Sequence, residues 1–335
     1  MIETKDYLRA LDQIEKATEI LLITHTRPDG DGCACVVAMQ QVLKSRGKNA
    51  RSLFLSEVPR WYQFLFDRKP PVVGKDITAE QLQKGELIRP DLIVIMDTNS
   101  YSQLQGLDRY LRDNDKPVVV IDHHITSDRV GNIELVDTTA AATGLIVLDL
   151  LKYAGWEITS RVANALFVAV ATDTGWFQFT NTDARVFQSC AELISLGADP
   201  IDVHRRLYQN LTPERFKLMV TMLGTLELHF DGRYAAQHIT LKDFEHTGAR
   251  FEDTENLIDE CRRIGTVEAA ALFVEQKDGR IRCSLRSCGD IDVRKIAQIF
   301  GGGGHKMAAG THLPGPLEKA RSLVLEQMAR RLSRP

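Results

Sequence analysis

At 335 residues the chain is long enough for two domains, each with its own core. Its 44% hydrophobic and 26% charged content is that of an ordinary soluble protein. A net charge of −3 excludes a long duplex nucleic acid as partner, because neutralising its phosphates needs a basic surface; a short phosphorylated ligand in a local pocket stays compatible. The six cysteines follow no framework spacing and read as reduced thiols of a cytoplasmic protein. The N-terminal MIETKDYLRALDQIEKA is a charged amphipathic helix, not a signal peptide. No apolar run approaches the ~18 residues that span a bilayer, so no membrane partner is expected.

After that helix, EILLITHTRPDGDG predicts a strand over Ile20 to Thr24 ending in His25. Asp29 and Asp31 follow in a Pro/Gly-rich loop, where Gly30 and Gly32 would let the backbone turn and bring both carboxylates round to the histidine. Apolar residues then recur with helical spacing from Cys33 to Arg46, closed by Gly47. Cys33 and Cys35 lie two apart on that helix, cannot face each other, and read as small packing residues. Residues 50 to 90 are mixed, and the aromatic cluster Trp61, Tyr62, Phe64 and Phe66 reads as core.

Two further runs, LIVIM over Leu92 to Met96 and KPVVVIDHHIT over Lys116 to Thr126, have the short β-branched composition of buried parallel strands. The first ends in Asp97, the second in Asp122, His123 and His124. Thr138 to Leu151 suggests an amphipathic helix with Thr143 near its start. Arg161 to Thr172 is apolar for longer than a strand allows, reads as a buried helix, and delivers Asp173. Successive helices follow over 183–226, with breaks at Gly197–Pro200 and Thr212–Pro213. Beyond Arg233, YAAQHIT, VEAAALFVEQ and RIRCSLRS read as strands, the last two joined by a hairpin at Asp278–Gly279. Helices are expected around Asp253 to Ile264, from Asp292 to Phe300, and from Pro316 to Leu332. The architecture expected is α/β. It has an N-terminal domain (1–195) with a parallel-type sheet flanked by helices, a helical connector (196–226), and a smaller C-terminal α/β domain (227–335).

Four segments of the first domain thus end in an acid or a histidine. They supply His25, Asp29 and Asp31; Asp97; Asp122, His123 and His124; and Asp173. The carboxyl ends of a parallel sheet lie close together, so these endings point to a polynuclear metal site. Carboxylates with one or two imidazoles suit Mn²⁺ first, with Mg²⁺, Co²⁺ or Fe²⁺ behind it, whereas zinc more often brings thiolates or a histidine-rich trio. Asp29, Asp31, Asp97 and Asp173 carry a charge that two divalent cations balance. Paired metals are the standard apparatus for in-line attack on phosphorus. In the second domain, the run Gly301-Gly302-Gly303-Gly304 offers approachable backbone N–H groups, with His305 next to it and Arg286 suited to bidentate phosphate contact.

These residues resemble the DHH phosphoesterase superfamily over nearly the whole chain. The first-domain pattern appears as THTRPDGDG, VIMD, IDHH and ATD; the C-terminal pattern, SLRS and GGGGHKMAAG, resembles the DHH-associated domain. Length and domain order are similar to the stand-alone nanoRNase/pAp-phosphatase subfamily, whose members shorten very short RNAs and dephosphorylate 3′-phosphoadenosine 5′-phosphate (pAp). The resemblance implies one metal on His25, Asp29 and Asp97, and another on Asp31, Asp97, His123 and Asp173, with Asp97 bridging. It makes Asp122 an orienting hydrogen-bond partner and His124 a contact to the scissile phosphate. Arg286, Gly303, Gly304 and His305 would grip the nucleotide's other phosphate. Where the family often has a Gly-Ser pair, this chain has Cys33-Ala34-Cys35.

The function expected is therefore Mn²⁺-dependent hydrolysis of oligoribonucleotides of 2–5 nucleotides, pGpG included, with or without pAp phosphatase activity. Cyclic-dinucleotide hydrolysis is the competing enzymatic reading, and a non-catalytic nucleotide- or RNA-binding regulator the competing class. An inorganic pyrophosphatase shares the metal set but would not need the SLRS and GGGGH elements. A homodimer is compatible with the sequence.

Overall fold

A computed structural model describes residues 2–332. The chain divides into two compact units, 1–210 and 211–335, and each is an α/β structure in its own right.

The first unit is built on a five-stranded sheet ordered β2-β1-β3-β4-β5. Its strands are β1 (Glu19–Thr24), β2 (Asn49–Leu53), β3 (Leu92–Met96), β4 (Val118–Asp122) and β5 (Ile133–Val136). Every pairing is parallel. β3 is buried at every position, as is β4, which is what strands covered on both faces require. Alternate residues go to opposite faces. Ile20, Leu22, Val94 and Ile121 pack with α2 (Gly30–Ser45), α5 (Thr143–Tyr153) and α6 (Ser160–Asp173), and the N-terminal helix α1 (Thr4–Lys16) joins the same core. Leu21, Ile23, Ile93 and Val120 pack on the other face, where the short α3 (Ala79–Gln83) contributes Leu82 and α4 (Asp108–Arg112) contributes Leu111. Helices α7 (Ala184–Ser195) and α8 (Pro200–Tyr208) complete the unit. Strands β2 and β5 are not legible in the sequence: NARSL and IELV are short, and their alternation is weak.

The topology decides where a site can form. From β1 the chain moves outward to β2, then crosses back to β3 on the other side of β1. The crevice between the carboxyl ends of β1 and β3 is the point where strand order reverses, the usual ligand position in open α/β sheets. Thr24 and Met96 are in register at its floor, and the next residues are His25 and Asp97.

The role expected of Gly30 and Gly32 needs correction. They do not turn a loop; they are the first turn of α2, which Asp29 caps by accepting from the Gly32 N–H. What they provide is closeness. A Cβ on Gly30 would sit 2.3–2.6 Å from the Thr172 side chain on α6, and one on Gly32 would sit 2.4 Å from Thr24 Oγ1 and 3.2 Å from His25 Nε2. The glycines let the positive end of α2 press against the sheet edge and α6.

The second unit opens with α9 (Pro213–Leu223) and holds a six-stranded mixed sheet ordered β10-β11-β9-β8-β7-β6. In chain order its strands are β6 (Glu227–His229), β7 (Tyr234–Ile239), β8 (Ala269–Glu275), β9 (Arg280–Ser287), β10 (Gly303–Gly304) and β11 (Ala308–Pro314). Among the described residues, only β7 and β8 run parallel in this sheet. One face packs under α11 (Val293–Ile299) and α12 (Leu317–Leu332). The other is covered over β7 and β8 by α9, α10 (Leu241–Thr247) and the 3₁₀ turn Leu257–Arg263. The single helix expected around Asp253 to Ile264 is two 3₁₀ turns, Phe251–Thr254 and Leu257–Arg263, broken where Asn256 takes a left-handed φ of 58°. Asparagine tolerates that conformation better than most residues. The glycine run is not an open loop. Gly303 and Gly304 pair with Gly310 and Ala309, and a Cβ on Gly304 (φ +138°) would meet Ala308 O at 2.5 Å.

Gly30→Ala tests the close packing of α2 on α6. Overpacking at such a contact costs about 1–3 kcal/mol, read as a lower urea midpoint at unchanged m-value. An unchanged midpoint would mean that the helices separate without cost.

Candidate metal centre

The residues predicted from four strand and helix ends converge at the β1/β3 crevice. His25 Nδ1 lies 3.0 Å from the Thr26 carbonyl. A carbonyl only accepts, so Nδ1 carries the hydrogen and Nε2 is turned inward. That Nε2 is buried without a hydrogen-bond partner. It stands 3.6 Å from Asp29 Oδ1 and 3.4 Å from Asp97 Oδ2, and Asp97 Oδ2 is buried and unpartnered too.

A second niche shares Asp97. His123 Nδ1 is 3.1 Å from the Ala140 carbonyl, which again turns Nε2 inward. It lies 3.6 Å from Asp97 Oδ1 and 3.4 Å from Asp173 Oδ2. Asp31 completes this niche: candidate ligand atoms of Asp31, His123 and Asp173 lie within 4.8 Å of one another, as do those of His25, Asp29 and Asp97. Two ligands held ~2.0–2.2 Å from one ion at tetrahedral or octahedral angles lie ~2.8–3.6 Å apart. The 3.4–3.6 Å separations are therefore too long for good hydrogen bonds and suited to a cation. The donor set, the inward nitrogens and the orphaned buried atoms fit divalent metal ions.

Asp122 does not face either niche. Its Oδ1 accepts from the backbone N–H of His123 at 2.9 Å and of His124 at 3.2 Å, and from His124 Nδ1 at 2.8 Å. It fixes the turn after β4 and the His124 ring, whose side chain remains 53% exposed. Asp97 itself adopts φ +65°, a left-handed conformation that costs a non-glycine residue on the order of 1 kcal/mol.

Several residues of the site are not evident from sequence. Helix α5 has Ala142 at its N-cap and no side-chain cap of its own. Asp31 takes that role from α2, accepting from Thr143 N at 2.6 Å and Gly144 N at 2.9 Å. Thr143 Oγ1 donates to Asp97 Oδ1 at 2.9 Å, so one residue ties both carboxylates. The legible signal is the absence of a capping residue in AAATG. Cys35 packs as expected but also donates to Asp31 Oδ1 at 3.2 Å. Arg286, Gly303, Gly304 and His305 lie in the second unit, where Arg286 is the penultimate residue of β9 with its Nε 3.5 Å from Asp259 Oδ1.

Two stretches of the chain match family models: residues 19–172 the DHH family, N-terminal domain, and residues 231–333 the DHHA1 domain. A relative in Thermus thermophilus, a bifunctional oligoribonuclease and PAP phosphatase, is 32% identical over 98% of this chain and 95% of its own. This chain belongs to the DHH family. A cyclic-di-AMP phosphodiesterase of Listeria monocytogenes is 27% identical over 90% of this chain but only 45% of its own length. The fold matches the crystal structure of an exopolyphosphatase-related protein from Bacteroides fragilis with a TM-score of 0.88, at 22% identity and covering 100% of this chain and 99% of that one.

The electrostatics of the centre leave it short of positive charge. Burial and then the Asp97 and Asp29 charges push the Asp173 carboxyl up to about 8. Burial, followed by Asp97, Asp173 and Asp29, raises Asp31 well above the carboxylate range. Asp97 is raised too, by burial first, although His25 opposes the shift. Burial alone would lower His25, but Asp29 and Asp97 outweigh it and push the ring up to about 11. The arrangement that traps a proton on His25 would take a cation in exchange for it.

Chelation should therefore lower the melting temperature, since ligand at a hundred times its Kd adds ~2.7 kcal/mol to a fold. In chelator, Asp31, Asp97 and Asp173 bind protons more tightly folded than unfolded. Stability should then fall as pH rises from the ordinary carboxylate value of ~4 towards about 8 for Asp173. Urea midpoints at pH 5.5 and 8 read this, and a midpoint that rose across the interval would contradict it.

Proposed function

We propose that this chain is a metal-dependent phosphoesterase that hydrolyses short oligoribonucleotides to mononucleotides and dephosphorylates pAp. The observation that carries the reading is Asp97, whose two oxygens face two imidazole-carboxylate niches, the arrangement of a paired-metal phosphoryl-transfer site. The Thermus thermophilus oligoribonuclease and PAP phosphatase, similar over 95% of its length, supports the substrate class. In this reading residues 1–195 form the catalytic domain, 196–226 the connector and 227–335 the substrate-holding domain.

His25, Asp29 and Asp97 would hold one ion; Asp31, Asp97, His123 and Asp173 would hold the other. The carboxylate-rich donor set favours Mn²⁺. Bound there, such ions supply Lewis-acid polarisation of a phosphoryl oxygen and lower the pKa of water. The protein's own groups do the rest. Asp122 holds the His124 ring through Nδ1 and pushes it up to about 9, so the protonated ring of this exposed side chain can donate from Nε2 to the phosphate as charge develops. The N–H groups of Thr143 and Gly144 aim Asp31. Arg286 and His305, with the Gly303 and Gly304 backbone, grip a second phosphate of the substrate. The Listeria similarity favours cyclic dinucleotides as the second reading.

The test is purified protein with Mn²⁺ and a panel of pAp, pGpG, short RNAs and cyclic dinucleotides. Mononucleotide release from pGpG and short RNA is expected; turnover of cyclic dinucleotides alone would favour the second reading. Asp97→Ala should lose both metal and activity, and a variant that kept activity would refute the shared-ligand role. His123→Ala should lose one ion. His124→Ala should retain both and lose about 10²–10³ in kcat, as read by metal analysis beside kinetics. If both histidine variants emptied the same niche, the division of roles would be wrong.

A further inference from the structure

Thr143 is the first residue of α5 and is buried, as are the two carboxylates beside it, Asp31 and Asp97. Within a helix a threonine can spend its hydroxyl on the carbonyl three or four residues back. Thr143 spends it elsewhere. Its Oγ1 donates to Asp97 Oδ1 at 2.9 Å, while its backbone N–H donates to Asp31 Oδ2 at 2.6 Å. Two donors of one buried residue thus hold two acids that arrive from different elements, Asp31 on α2 and Asp97 at the end of β3.

The two carboxylates are not held alike. A carboxylate offers about four lone-pair sites. On Asp31, the Thr143 N–H occupies Oδ2, and the Gly144 N–H and the Cys35 thiol occupy Oδ1. Its rotation is therefore fixed without the Thr143 side chain. On Asp97, Oδ1 accepts from the Thr143 hydroxyl, Oδ2 is buried without a hydrogen-bond partner, and the His25 and His123 nitrogens stand back at 3.4 and 3.6 Å. The Thr143 hydroxyl is the close contact that sets the rotation of this carboxylate, with one oxygen towards each niche.

We propose that the Thr143 hydroxyl is the positioning group that keeps Asp97 shared between the two niches, and with it the second metal ion. The inference rests on the paired-metal reading. The niches compete for Asp97 unequally: apart from it, one offers Asp31, His123 and Asp173, and the other only His25 and Asp29. A carboxylate free to turn can give both oxygens to a single ion, and the niche richer in donors would take them. The poorer niche would then keep two protein donors. With Oδ1 held by Thr143, one lone pair of that oxygen is spent and the remainder faces His123, which leaves Oδ2 for the His25 side. The hydroxyl thus touches the oxygen of one niche and governs the ion in the other.

The test titrates Mn²⁺ into chelator-stripped protein for the parent, for Thr143→Val, which keeps the shape and removes the hydroxyl, and for Thr143→Ser, which keeps the hydroxyl. Calorimetry reads the two affinities. Electron paramagnetic resonance reads the bridge, because two Mn²⁺ ions sharing a carboxylate are spin-coupled and separate ions are not. The parent is expected to bind two ions as a coupled pair. In the valine variant the first ion should bind as in the parent and the second about 10–100-fold more weakly, with the spectrum of separate ions. The serine variant should restore the pair. Melting curves in chelator control for folding, and Thr143→Ala makes the same comparison if the valine variant does not fold. Two unchanged affinities with a coupled spectrum, or the same loss at both ions, overturn the proposal. A parent that holds the coupled pair but turns over no nucleotide would refute the phosphoesterase reading and leave the role of Thr143 standing. A parent that never shows a coupled pair would refute the shared carboxylate and this proposal with it.

Discussion

A buried carboxylate with too little positive charge around it is the constraint on which the first unit depends. Asp97 is 1% exposed, sits at the end of an all-apolar strand, and has Asp31 and Asp173 among the charges it acts on. A protein does not assemble such a group for stability, because each burial costs more than the hydrogen bonds return. The arrangement becomes intelligible once two imidazole nitrogens face the same carboxylate from opposite sides. Countercharge supplied from outside would offset the repulsion within the cluster.

The cluster is positioned by backbone. Asp29 caps α2 and Asp31 caps α5, so the two carboxylates of the DGDG segment are each held by a helix N-terminus. Helix dipoles favour the ionised form at both places; at Asp31, burial and the neighbouring carboxylates outweigh that help. The small contacts follow from this. Gly30 and Gly32 bring α2 close enough for Asp29 and Asp31 to reach, and Thr143 links Asp31 with Asp97. Each imidazole is oriented by a carbonyl on its far side.

The second unit follows a different logic. Its sheet packs one face under α11 and α12, while the helices on the other cover β7 and β8. The uncovered half presents arginines at alternate positions of β9, where a core strand would place apolar side chains.

Hydrophobic periodicity locates β1, β3, β4 and α6, because buried parallel strands and a buried helix leave long apolar runs. The residue at each carboxyl end then names the acids and imidazoles of the centre. Short, partly exposed elements such as β2, β5 and β11 leave no comparable run. The glycines of α2 pass for turn residues, since sequence shows that a Cβ is absent but not what it would have struck. The sequence by itself determined which donor atoms are available and that strands deliver them. Only the tertiary structure decided the strand order that sets β1 beside β3, the two-sided role of Asp97, and the capping of α5 by a distant Asp31. Those depend on contacts between segments far apart in the chain, and local patterning carries no record of which strand lies next to which.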